Sequence, residues 1–179
     1  MQQHITPAHV GIEWGSGRST VWLAKRAARL ISVEHSPVWY ARVQAWLKKK
    51  ALLNVDYRLC PVSSDRSSNR AEEAAYVGVV TALPDESLDF ALIDGRFRAR
   101  CALAVLRKLC PGGMLIVDNA NHYLPSASRA PRSIAIDGVP PTKEWALFRR
   151  RVARWRCQWT SNGVFDTRAR NPPSGTAGR

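Results

Sequence analysis

Two carboxylates and two glycines near the amino end of this 179-residue chain have the spacing of a ligand-binding turn. In HVGIEWGSGRST, residues 9–20, an apolar strand runs into a glycine turn and then a helix. Gly15 and Gly17, with Ser16 between them, let backbone pass close to a ligand because no β-carbon stands in the way. Glu13 puts a carboxylate at the end of the strand, where it would repel a pyrophosphate and welcome an ammonium group. Further on, the strand LISVEH ends in a second acid, Glu34, placed to grip ribose hydroxyls. His35 follows it, as a residue packed on a nucleoside or as a surface histidine. A nucleoside with a positively charged tail satisfies both acids.

The elements that must position these groups alternate along the chain. Apolar, β-branched strands are expected at 9–14, 30–35, 55–60, 88–94 and 113–118, and amphipathic helices at 18–28, 37–50, 70–82 and 98–109. Such alternation predicts a doubly wound α/β sheet with parallel pairing. A long loop rich in proline and serine follows. TKEWALFRRRVARW then reads as a helix with Trp145, Phe148, Val152 and Trp155 on one face. RCQWTS and VFDTRA read as two short strands joined across Asn162-Gly163, a hairpin signal. The division predicted is one domain over 1–167 and a disordered tail over 168–179. Glu13, Glu34, Asp94 and Asp118 all fall at carboxyl ends of expected strands, where open α/β sheets bind their ligands.

E-x-G-x-G followed by a helix, a strand and an acid resembles the first two motifs of class I S-adenosylmethionine-dependent methyltransferases. The longer string EWGSGRST…VEHSPVWYARV is similar to a poorly characterised bacterial branch of them. The likeness continues through LDFALIDGR and LCPGGMLIVDN to WTSNGVFDT, with Ser19 where a third glycine is usual. The resemblance implies a Rossmann-like, mostly parallel seven-stranded sheet ending in an antiparallel hairpin. It implies S-adenosylmethionine as cofactor, held by Glu13, Gly15, Ser16, Gly17, Glu34, His35 and Asp94. Asp65 would meet the adenine amino group, with Ser63 and Ser64 competing for that role. A dinucleotide oxidoreductase also uses a glycine turn and an acid about 20 residues on. Here Thr20 stands at its third glycine, and Glu13 would lie against the pyrophosphate.

Asp94 and Asp118-Asn119 also resemble the metal site of catechol-type O-methyltransferases. Two aspartates and an amide are chemically sufficient for Mg²⁺, while metal-free relatives use the first acid on substrate or cofactor. Asp94 is therefore a catalytic candidate on either reading. His122, with Tyr123, is the other candidate base, against an ordinary loop histidine and a packing tyrosine. Arg96, Arg98 and Arg100 either meet an anionic acceptor or are solvated.

The net charge of +13, with runs at Lys48–Lys50 and Arg149–Arg151, has two readings. One is a solvated basic surface; the other is attraction to nucleic acid. IDGRF replaces the N/D-P-P-Y/F/W motif of amino-group methylation on bases, so a small-molecule O- or N-acceptor is expected. Cys60, Cys101, Cys110 and Cys157 lack zinc spacing and read as buried thiols of a reducing compartment. No membrane span or signal segment is evident, so a cytoplasmic location is expected. Class I members usually carry helices ahead of the first strand, and about eight residues stand there here. The alternative is thus a shortened, non-catalytic domain that binds cofactor or a polyanion such as nucleic acid.

Overall fold

The computed structural model describes residues 5–63, 70–159 and 165–168. Strands β1 (Val10–Trp14), β2 (Arg29–Glu34), β3 (Val55–Leu59), β4 (Leu88–Ile93) and β5 (Leu109–Val117) pair in parallel. Their order is β3-β2-β1-β4-β5, extended by β7 (Phe165–Arg168) and then β6 (Arg156–Trp159), both antiparallel to their neighbours. The expected parallel α/β sheet is present, with five strands carrying the parallel pairing. Asn162-Gly163 and the tail lie outside the described residues.

Helices α1 (Arg18–Ala24), α2 (Pro37–Lys49), α3 (Arg70–Val77), α4 (Arg98–Val105) and α5 (Lys143–Arg151) cover the sheet. All five stop short of the expected ends, α2 by a single residue and α5 at Arg151, before Trp155. After α1, the Ala28 amide donates to the His9 carbonyl, which draws the chain into β2. After α3, Gly78 opens a 3-10 turn, and α4 ends at Val105 as the chain turns toward β5. β5 instead begins early, at Leu109, because an irregularity between Leu88 and Phe90 takes up the extra residues.

Side chains alternate across the sheet with period two. Ile12, Trp14, Ile31, Val33, Ala91 and Ile93 pack on one face against Tyr76, Cys101, Ala102, Val105, Trp145 and Phe148. Leu30, Phe90, Leu92, Met114 and Ile116 pack on the other against Leu23, Ala24 and Ala27 of α1 and its exit. Trp145, Phe148 and Val152 are buried as the spacing of α5 predicts. Of the thiols expected inside, Cys101 is buried while Cys60 and Cys110 are half-buried; the side chain of Cys157 lies outside the described residues. Among the described residues no helix is long and apolar enough to cross a membrane.

Candidate functional site

Glu34 closes β2 with a carboxylate only 2% exposed, at the floor of a cavity of about 350 Å³. Gly15, Ser16, His35, Ser36, Trp39, Asp94, Gly95 and Arg96 complete the lining. Four protein donors meet the two carboxylate oxygens. The amide and hydroxyl of Ser16 donate to Oε2 at 3.0 and 2.7 Å, and the amides of His35 and Ser36 to Oε1 at 2.9 and 2.8 Å. Nδ1 of His35 lies 3.0 Å from Oε1 without the alignment of a hydrogen bond. Burial alone would raise this acid, but the adjacent His35 ring, the Ser36 amide and Ser16 outweigh it and hold Glu34 near 2, so it stays ionised. Four donors fill the lone pairs a carboxylate offers. A ligand hydroxyl must therefore displace one of them, and the Ser16 hydroxyl, on a side chain free to rotate, is the one that can leave.

Glu13 has a different setting from the expected one. Period-two alternation sends its side chain under α1, away from the cavity, where it is fully buried. It accepts from Ser32 Oγ at 2.8 Å and from Ser19 Oγ at 2.9 Å. Loss of hydration pushes it up to about 7 despite the hydroxyls of Thr20, Ser32 and Ser19. Glu13 thus ties β1, β2 and α1 together behind the turn rather than meeting a ligand's ammonium group.

The two glycines differ. Gly15 has φ +91°, and a β-carbon there would come within 2.7–2.8 Å of the backbone of Asp94 and Gly95. Gly17 is extended, and a β-carbon would meet only the Trp39 ring, at 3.9 Å. Gly17 thus has room for a β-carbon, whereas at Gly15 that room is filled by the neighbouring chain. Trp39, which the sequence reading did not single out, enters the cavity because Ser36 caps α2 and places it in the first turn. Its indole N–H donates to the Ser16 carbonyl. Tyr57, also unforeseen, reaches the same serine, with its hydroxyl 2.7 Å from Ser16 Oγ.

Asp94 and Asp118 stand just past the ends of β4 and β5, as expected, and Arg98 lies between them. Its guanidinium donates to Asp94 Oδ1 at 2.7 Å and to the carbonyls of Asp94, Gly95 and Asp118. It also reaches Asn119 Oδ1 at 3.5 Å and lies 3.9 Å from Asp118 Oδ2. The oxygens proposed as a magnesium site are thus already gathered around a fixed cation. No cluster of three or more His, Cys, Asp or Glu suited to a metal occurs among the described residues. Arg98 already fills the space among these oxygens, an arrangement that does not support Mg²⁺ at Asp94, Asp118 and Asn119. Loss of hydration and the facing Asp118 push Asp94 up to about 6, while Arg98 pulls it back. With 43% of its side chain open, Asp94 stays within reach of solvent and ligand.

His122 lines neither this cavity nor the next. Its Nε2 lies 3.2 Å from the Pro131 carbonyl, so the expected substrate-facing base is instead tied to the long loop. Asp65 and Ser64 lie outside the described residues, and the Ser63 amide donates to Glu72.

A second cavity, about 560 Å³, adjoins the first through Gly95 and Arg96, which line both. Phe97, Tyr123 and Trp145 give it aromatic walls, and Arg98, Arg100, Glu73 and Glu144 give it charge. Tyr123 and Trp145 are stacked, with centroids 4.9 Å apart.

Residues 12–120 match the family described as a methyltransferase domain. Among curated proteins, none is matched. Solved structures share the fold at low identity. A methyltransferase-like protein from Silicibacter pomeroyi aligns with TM-score 0.65 and 20% identity over 96% of this chain and 85% of its own. A methyltransferase from Geobacter sulfurreducens aligns with TM-score 0.60 and 16% identity over 91% and 71%. An rRNA methylase from Streptococcus thermophilus aligns with TM-score 0.60 and 9% identity over 94% and 91%.

Proposed function

This chain belongs to the methyltransferase-domain family and is a class I S-adenosylmethionine-dependent methyltransferase, and we propose that it methylates an oxygen or nitrogen of a small-molecule acceptor. The observation that carries the reading is Glu34, an ionised carboxylate at the floor of a cavity lined by the Gly15–Ser16 turn. S-Adenosylmethionine supplies a methyl group on a positively charged sulfur. Glu34 would hold its ribose hydroxyls, the Gly15–Gly17 turn its nearby backbone, and His35 and Trp39 its base. Asp65 keeps its proposed contact with the adenine amino group. Asp94 is the negative group facing the cationic end, and it borders the route to the second cavity.

Methyl transfer is an in-line displacement, so the chain's task is alignment, exclusion of water and removal of one proton. Asp94, ionised above about pH 6, is the group to take that proton. Glu13 supports the turn from behind through Ser19 and Ser32.

The basic runs support a small acceptor rather than nucleic acid. Lys48–Lys50 are exposed and stand at the end of α2, about 14 Å along the helix axis from Trp39. Arg149–Arg151 are exposed one to two turns beyond Trp145. Neither run lines either of these two cavities. Calorimetry with S-adenosylhomocysteine, on the wild type and on Glu34→Ala, tests the reading. Loss of the ribose contact should weaken binding about ten- to a hundredfold. Preferential binding of a nicotinamide dinucleotide would overturn it.

A further inference from the structure

We infer that the second cavity takes a planar, negatively charged acceptor, an aromatic or heteroaromatic carboxylic acid, with Arg96 holding its carboxylate. The inference rests on the methyltransferase reading above and names the substrate class of that site.

Charge accounting comes first. Five acids and three arginines gather around the two cavities, and Glu34 is met by its own four donors. Glu73 and Glu144 both pair with Arg100. Asp94 and Asp118 share Arg98, which is held by four further oxygens. Arg96 is left. Among the described residues no carboxylate pairs with its guanidinium, which lies 5.9 Å from the Phe97 ring centroid. It lines both cavities and so stands where an acceptor must meet the methyl group.

Backbone geometry adds an independent reason. Phe97, a bulky residue, sits in the left-handed region with φ 49° and ψ 36°, a strained conformation for a side chain of its size. Its ring packs edge-on against Tyr76, with centroids 6.0 Å apart, and the Tyr76 hydroxyl accepts from the Arg96 amide at 3.3 Å. A strained turn, fastened from below, holds Arg96 and Phe97 toward the cavity. Strain of this kind gathers at ligand sites.

Shape supplies the rest. Phe97 and the stacked Tyr123–Trp145 pair give this cavity apolar walls, to which a flat ring is suited. Arg96 offers a planar fork of donors that matches a carboxylate bidentately. A cation beside aromatic walls selects a ring that carries an acid. It disfavours the same ring with an amide.

The test uses the whole chain saturated with S-adenosylhomocysteine. A hydroxybenzoate, an indole carboxylate and a pyridine carboxylate are each titrated against the matching uncharged amide. At least one acid should bind about ten- to a hundredfold more tightly than its amide, and Arg96→Gln should abolish that preference. Because Arg96 also borders the cofactor cavity, S-adenosylhomocysteine is held saturating for each protein at its own measured affinity, and the melting temperature of Arg96→Gln, at an exposed position, checks its fold. Two results would overturn the inference: no acid preferred over its amide, or a preference that survives Arg96→Gln. Failure of the underlying cofactor reading is distinguishable, because the wild type would then not bind S-adenosylhomocysteine at all.

Discussion

Gly15 and Gly95 face each other across the ends of β1 and β4 with room for a β-carbon on neither. A β-carbon on Gly15 would come within 2.8 Å of the Gly95 nitrogen, and one on Gly95 within 2.9 Å of the Gly15 nitrogen and 2.0 Å of the Tyr76 hydroxyl. The first glycine of the turn therefore brings two strand ends together, whereas Gly17, two residues on, has room for a β-carbon. Gly15→Ala should lower stability by about 1–3 kcal/mol, from the positive φ and the backbone contact together. Gly17→Val should melt within about 1 kcal/mol of the wild type yet lose S-adenosylhomocysteine binding. Thermal melts with and without the ligand decide it. A Gly17→Val protein that binds normally would remove Gly17 from the cofactor site.

Ser16 holds the place at Glu34 that a ribose hydroxyl would take. Its hydroxyl donates to Oε2 at 2.7 Å and is also 2.7 Å from the Tyr57 hydroxyl. Ser16→Ala removes the hydroxyl while the Ser16 amide, 3.0 Å from the same oxygen, remains. Calorimetry should then show S-adenosylhomocysteine bound more tightly, since no protein hydroxyl has to be displaced. A tenfold loss instead would mean that the serine itself contacts the ligand.

Glu13 makes stability fall as pH rises. In the unfolded chain it ionises near 4.5, whereas in the folded chain burial holds it protonated up to about 7. Between those values the native state binds more protons than the unfolded one, so stability declines with increasing pH. A shift of this size corresponds to about 3 kcal/mol. Glu13→Gln should flatten the slope across pH 4.5–7 in denaturant melts and should be the more stable protein at pH 8. An unchanged slope would show that Glu13 is ionised in the native state.

Strand-end acids were legible because the sheet's alternation and ends follow from apolar patterning, which brought Glu34 and Asp94 to one cavity. The same patterning, followed one residue further, sends Glu13 under α1, since Ile12 and Trp14 claim the opposite face. The aromatic periodicity of α5 was likewise legible in Trp145, Phe148 and Val152. Trp39, Tyr57 and Arg96 were harder to assign. Their roles depend on which side chains meet across separate elements, as Trp39 meets Ser16 from α2 and Tyr57 meets it from β3. His122 failed for a related reason: the loop carbonyl of Pro131 claims it, and loop paths leave little trace in sequence.

Arg98 stands where the sequence suggested a divalent cation, and this predicts both chelator and pH behaviour. It follows Asp94 by four residues, the spacing that brings two side chains together at a helix entry, and it reaches Asp94, Asp118 and Asn119 at once. A built-in cation needs no metal to offset the two carboxylates. Excess chelator should therefore leave both the melting temperature and S-adenosylhomocysteine affinity unchanged. Asp94 then sets the acid limb of the pH profile: transfer should rise with pH through about 6 as its carboxyl ionises. Arg98→Gln removes the charge that pulls Asp94 down and leaves Asp118 facing it, so the midpoint of that limb should move to higher pH. Binding of S-adenosylhomocysteine by Arg98→Gln, followed in parallel, separates this effect from collapse of the turn. A midpoint that stays in place while the ligand still binds would mean that Asp94 does not take the acceptor's proton.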